Sequence, residues 1–262
     1  MNKINFCVIP PSSQLELMDM GIFYFCLTQI YVKDEEYRNF FKARKAEGKF
    51  VIMDCGVGDG DPVSQNILFE VMKDLMPSEI IPLDVLYNGK QTYYNVVDFI
   101  SRMKRENLIG KVQIQAVPQG NTFEEWLNCY MHLISLPEVD TIGMSKIGIP
   151  WAVSRSIKDQ NIARDRNVVF DYLSNEELLK KPLHFLGAET PLEYRHYKDS
   201  PYVRSTDSCF SVFSAIEGFE WEQSQFDRTP TPRNYFDLEM TQEQVDRAKR
   251  NINQFRKILS SE

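Results

Sequence analysis

The chain has 262 residues, 43% of them apolar, and a net charge of −7 at pH 7. That length suits a single α/β barrel with a full core, and the acidic balance argues against broad, unspecific coating of nucleic acid without excluding a local basic groove. No apolar run reaches the ~18 residues that a membrane span needs, and the opening "MNKINFCVIPPSS" lacks the basic start and long apolar stretch of a signal peptide.

Along the chain a strand, a turn and an amphipathic helix recur. "IFYFCLTQI" (22–30) precedes "DEEYRNFFKARKAEG", where Tyr37, Phe40 and Phe41 fall at helical spacing. "FVIMDCG" (50–56) precedes a segment whose Ile67, Leu68, Val71, Met72 and Leu75 form one apolar face. "EIIPLDV" (79–85) precedes "KQTYYNVVDFISRMKREN", and "KVQIQAVPQG" (111–120) precedes "TFEEWLNCYMHLISL". "TIGMSKIGIP" (141–150), a helical region around 168–180, "PLHFLGA" (182–188), "TPLEYRHY" and "YVRSTDSC" (202–209) follow. The short helix "SVFSAIEG" and a long helical tail over 241–259 complete the pattern. Seven strand–helix units are visible, and an eighth strand is expected near 218–221. Strands alternating with helices imply parallel pairing and right-handed crossovers. The count favours one closed (β/α)8 barrel of the TIM type over residues 1–262, and the GxGxxG signature of a dinucleotide site is missing.

Asp54, Asp84, Gln119, Gly143, Gly187 and Asp207 all fall at or just past a strand's C-terminal end, the face that holds the active site in barrel enzymes. Singly, each is more often a turn or cap residue; three carboxylates and one amide on successive strands favour the shared mouth. Asp207 stands in a cluster with Ser205, Thr206 and Ser208, which reads as an exposed polar strand end.

The ordered set "IMDCGVGDGD", "IPLDVL", "AVPQG", "TIGMS", "HFLGAETP" and "VRSTDSC" resembles the tRNA-guanine transglycosylase superfamily from about residue 50 to residue 210. Each motif is short, and the order and spacing carry the likeness. On this resemblance Asp54 matches the acid of the first motif, with Cys55 standing where Ser is usual, and Asp84 matches the acid that reads the purine edge. Gln119 and Gly120 match a Gln-Gly pair, Gly143 a backbone contact to the base, Leu186 and Gly187 the base-stacking segment, and Asp207 the nucleophile. The tRNA enzymes carry a CxCxxC cluster and a later His that bind zinc. Here no His follows His196 and no Cys follows Cys209, so no metal and no cofactor are expected. The scattered Cys7, Cys26, Cys55, Cys129 and Cys209 fit a reduced, cytoplasmic setting. The compact, zinc-less pattern resembles phage-type DNA-guanine transglycosylases. That resemblance implies exchange of guanine in DNA for a 7-deazaguanine such as preQ0 or preQ1, which shields a viral genome from restriction.

Base exchange keeps the energy of the C1′–N bond if a carboxylate forms a glycosyl ester, as in retaining glycosidases. Asp207 is the candidate nucleophile, with Ser205 and Ser208 as hydrogen-bonding support and Arg204 as a holder of the carboxylate or of a phosphate. Asp54 is the candidate acid/base. Asp84 would accept from N1–H and the 2-amino group, Gln119 and Gly143 would serve O6, and Leu186, Val57 and Phe185 would wall the ring. Asp59 and Asp61 lack calcium-loop spacing and are discounted as a metal site. His132 reads as a core or groove histidine, while His184 fits a polar core role and a substrate contact equally.

The partners expected are DNA, presenting a flipped-out or single-stranded guanine, and a free 7-deazaguanine base; no membrane is expected, and self-association is left open. Phosphate contacts fall to Arg155, Lys158, Arg164 and Arg166 in "SRSIKDQNIARDRN", and to Arg195, Lys198 and Arg204 with Tyr194 and Tyr197 interleaved. As charge runs, both segments equally suit plain solvated surface. The rival readings are the same exchange on tRNA, a non-catalytic nucleic-acid-binding partner subunit, and an unrelated barrel hydrolase using the same carboxylates.

Overall fold

The computed structural model describes residues 4–155, 160–188, 190–221 and 230–260. Eight parallel strands lie in the order β1-β8-β7-β6-β5-β4-β3-β2 and form a nearly closed (β/α)8 barrel ringed by helices. The strands are β1 Asn5–Val8, β2 Tyr24–Leu27, β3 Val51–Asp54, β4 Glu79–Ile80, β5 Gln113–Ala116, β6 Thr141–Ser145, β7 Leu183–Leu186 and β8 Val203–Ser208. Ile22 N–H donates to Phe6 O at 2.8 Å across the β1–β2 seam.

The eighth strand is β1 in "NFCV", not the segment near 218–221, where Gly218 sits at a positive φ and the chain turns toward the C-terminal helix. Four residues ahead of a Pro-Pro pair give too short an apolar run to stand out. What makes them a strand is the partner: Cys7 pairs in register with Asp207, and Val8 with Ser208. Two further expectations shift. The β4 ladder is two residues long, and 81–85 runs on without strand pairing. The strand expected over 141–150 ends at Ser145, and Gly148–Ser154 turns helical. "TPLEYRHY" is a buried 3-10 turn, Pro191–Arg195.

The helices are α1 Thr28–Lys33, α2 Glu35–Ala46, α3 Gln65–Leu75, α4 Gly89–Arg105, α5 Phe123–Ser135, α6 Gly148–Ser154, α7 Ile162–Asn175, α8 Phe210–Ile216 and α9 Gln242–Ser260. Side-chain caps start several of them: Asp34, Ser64, Asn88, Thr122 and Asn161 each accept from a backbone N–H three residues on, satisfying a donor the helix leaves open. α7 therefore begins at Ile162, six residues ahead of the expected helical region, because its cap Asn161 lies in the polar run. In α9 the buried Val245, Ala248, Ile252, Phe255 and Leu259 form one stripe, and Phe255 meets Phe6 of β1 edge-on at 5.4 Å between ring centroids. Among the described residues no helix is long and apolar enough to cross a membrane.

At the bottom of the barrel Arg204 binds Glu79 of β4 through two bonds of 2.6 and 2.8 Å and also donates to Thr141. The register of β8 against β7 shifts here, because Leu183 pairs with Val203 but His184 pairs with Ser205. The extra residue, Arg204, is bulged out of the ladder, and bulges re-aim side chains. Arg204 swings beneath the barrel while Ser205 and Asp207 face His184. Arg204 thus closes the floor with a buried carboxylate, and its bonds go to Glu79, Thr141 and Ser205 rather than to Asp207.

Candidate active site

A cavity of about 240 Å³ opens at the C-terminal mouth of the barrel. Ile9, Leu27, Asp54, Asp84, Val117, Ser145, Leu186 and Asp207 line it, so the end of every strand contributes a wall residue.

Asp207 is buried, contrary to the exposed strand end expected of it, as are Ser205, Thr206 and Ser208. Its two carboxylate oxygens lie 3.2 and 3.3 Å from Gly187 N–H, and Oδ1 lies 3.0 Å from His184 Nε2. Ser205 and Ser208 do not bond it. Ser205 Oγ sits 2.8 Å from His184 Nδ1, and Ser208 Oγ donates to Ala188 O. Arg204 Nε–H donates to Ser205 Oγ at 3.1 Å. One arrangement satisfies the whole chain: Ser205 donates to Nδ1, and Nε2–H donates to Asp207. His184 packs between Phe23 and Phe25, with no exposure, so it is a polar core residue that positions Asp207 and touches no solvent.

Gly187 is required by geometry. Its φ of +68° favours glycine, and a Cβ there would stand 2.4 Å from Lys146 Cδ. The Lys146 stem therefore runs directly over the glycine whose N–H holds Asp207.

Asp54 ends β3 half-buried, its Oδ2 accepting from Gly56 N–H at 2.8 Å. Burial, and then the Asp59 carboxylate, push its carboxyl up to about 8 against the bond from Gly56. It is protonated at neutral pH, as a general acid must be. Asp84 is buried, and Gln119 Nε2 donates to it at 2.6 Å while the Cys55 thiol donates at 3.5 Å. Burial raises Asp84 to about 6 against those two donors. Burial also pushes the Cys55 thiol up, so it stays a donor to Asp84.

Five expected site residues therefore share the cavity: Asp54, Asp84, Leu186, Gly187 and Asp207. Three do not line it. Gln119 is fully buried and orients Asp84 from behind, fitted against Gly148. Gly120 admits helix α5, since a Cβ would meet Trp126 N at 2.2 Å. Gly143 lies inside the barrel below the mouth, against Val117, Gln115 and Leu186. Of the ring walls, Val57 and Leu186 face the cavity, but Phe185 packs on Tyr194 and Tyr197 in the core.

The expected phosphate contacts divide. Arg166 is wholly buried, bound to Glu193 at 2.6 and 2.8 Å and donating to the carbonyls of Met144 and Leu186. It braces the ends of β6 and β7 from behind and faces no nucleic acid. Arg204 is withdrawn to the floor, and Tyr194 and Tyr197 are buried rather than presented. Arg164 is exposed and paired with Asp165. Arg155, Arg195 and Lys198 are exposed, and Lys158 lies outside the described residues. His132 is exposed in a surface groove beside Tyr93.

Sequence reasoning missed Asp59, Lys146, Arg233 and Tyr235 at the cavity. Lys146 follows the end of β6 directly, so the strand-end rule that found the acids reaches it; Arg233 arrives from beyond the last strand, with no local signal. Gln29 Nε2 donates to Asp59 at the rim at 2.9 Å. Among the described residues no group of three His, Cys, Asp or Glu side chains is placed to hold a metal ion. No protein-family model matches the chain, and no curated protein does.

Proposed function

We propose that this chain is a base-exchange transglycosylase that replaces guanine in DNA by a 7-deazaguanine of the preQ0/preQ1 type. The observation that carries the reading is the shared cavity of Asp207, Asp54 and Asp84, with the first fixed by Gly187 and His184 and the second protonated at neutral pH. Two carboxyl groups in unlike environments suit a nucleophile and an acid at one glycosidic bond.

In the first half-reaction the Asp207 carboxylate attacks C1′, the C1′–N9 bond breaks, and its electron pair takes the Asp54 proton. Guanine leaves and a 7-deazaguanine takes its place. Its ring N–H returns a proton to the Asp54 carboxylate, the nitrogen attacks C1′, and the ester to Asp207 is released. Asp84 accepts from N1–H and the 2-amino group, donors adenine lacks, so adenine would leave a buried acceptor unpaired. Gln119 and Cys55 hold that acceptor in place.

The test is mass spectrometry of nucleosides from DNA and from tRNA after expression with a 7-deazaguanine supply. The expected result is a 7-deazaguanine nucleoside in DNA, together with a denaturation-resistant protein–DNA adduct that Asp207→Ala lacks. Unmodified DNA, or modification of tRNA alone, overturns the assignment.

A further inference from the structure

The cavity is electrically divided. Asp54, Asp84 and Asp207 stand on its β3, β4 and β8 sides with Asp59 at the rim, while Lys146 from the end of β6 and Arg233 from the segment after α8 also line it. Among the described residues neither cation forms an ion pair within 4 Å, although the Lys146 charge is near enough to Asp59 to favour its carboxylate form. Cations outside any close ion pair at the mouth of an acid-walled cavity are free to meet an anion brought by the ligand.

The Lys146 side chain crosses Gly187, whose missing Cβ leaves it room, and the same glycine's N–H holds Asp207. On the base-exchange reading a sugar bonded to Asp207 would lie beside this amine, with its flanking phosphates next to it. A base fits the buried carboxylates as a neutral donor, and a phosphodiester fits the two cations.

We propose that Lys146 and Arg233 form a phosphate clamp for the target nucleotide, so that the site selects a guanosine embedded in a single DNA strand over the free nucleoside. This rests on the base-exchange reading but is tested by binding alone.

Fluorescence anisotropy with a labelled single-stranded oligodeoxynucleotide bearing one guanosine measures it. A second strand has neutral methylphosphonate linkages on both sides of that guanosine. Lys146→Gln and Arg233→Gln are each expected to weaken binding of the phosphodiester strand by at least about tenfold. Each should also lower the slope of log K against log salt by about 0.7, the value for one phosphate contact on a single strand. On the neutral strand wild type should bind as weakly as the variants, which lose nothing more. Unchanged affinity and slope, or an equal loss on both strands, overturns the clamp. Guanine exchange measured on the same proteins separates the two ideas. A chain with the salt signature that exchanges no base refutes the exchange reading alone, and exchange without the signature refutes the clamp alone.

Discussion

His184 Nε2 lies 3.0 Å from Asp207 Oδ1, and the far ring nitrogen meets Ser205, which in turn accepts from Arg204. A line of hydrogen bonds thus runs from the ion pair on the barrel floor to the proposed nucleophile at its mouth. His184→Phe keeps the ring among Phe23 and Phe25 but deletes the donor to Asp207. A hydrogen bond to a charged group contributes about 1.5–3 kcal/mol, so kcat should fall roughly ten- to hundredfold with KM little changed. His184→Gln restores an N–H and should recover part of the rate. Steady-state exchange of labelled guanine measures both variants; a wild-type kcat for His184→Phe would remove His184 from the positioning of Asp207.

Asp54 links rate and stability to pH. Its folded-state value of about 8 lies above the ordinary 3.8, so the folded protein holds a proton that the unfolded chain has released between those limits. Stability from this residue is therefore fullest below about pH 4 and declines as pH rises to about 8. Asp54→Asn, which cannot ionise, should raise Tm at pH 8 by at least about 2–4 °C, the effect of about 1 kcal/mol in a chain of this size. The gain should shrink at pH 5. Calorimetry at the two pH values checks this, and a gain independent of pH would show that Asp54 is not protonated in the fold. Wild-type exchange should fall above about pH 8 as the acid is lost.

Asp84→Asn places an amide where N1–H and the 2-amino group are to be received. An unpaired polar group in a closed pocket costs about 1–3 kcal/mol, more beside a charge, so incorporation should fall at least about tenfold. The loss should be equal for guanine, preQ0 and preQ1, since position 7 lies on the opposite side of the purine. A variant that merely changes preference between preQ0 and preQ1 would put Asp84 away from the guanine edge.

Arg166 is expected to act through the fold. Arg166→Met leaves Glu193 buried without its partner, which costs about 3–5 kcal/mol. Arg166→Met combined with Glu193→Leu should recover much of the loss. Arg195→Gln, at an exposed position, should leave the denaturation midpoint unchanged. Urea denaturation compares them, and an Arg166→Met protein of wild-type stability would contradict the buried pair.

Barrel class was legible in the sequence because it depends on local patterning: apolar runs, caps and helical stripes repeat whatever the long-range contacts are. The same rule placed Asp54, Asp84 and Asp207 at strand ends, and parallel strands of one barrel must bring such ends to one mouth. Direction and depth were another matter. Arg166 and Arg204 read like any surface cation, since charge in a sequence carries no record of what packs against it; Glu193 and Glu79 withdraw them. The bulge at Arg204 decides which way Ser205 and Asp207 face, and it exists only in the register of β8 against β7. β1 becomes a strand by pairing with β8, across nearly the whole chain. Residue type and local periodicity therefore determined the fold class and the candidate carboxylates. Pairing register and burial, which arise between segments distant in sequence, decided which carboxylate is held, which is protonated, and which cations are withdrawn into buried ion pairs.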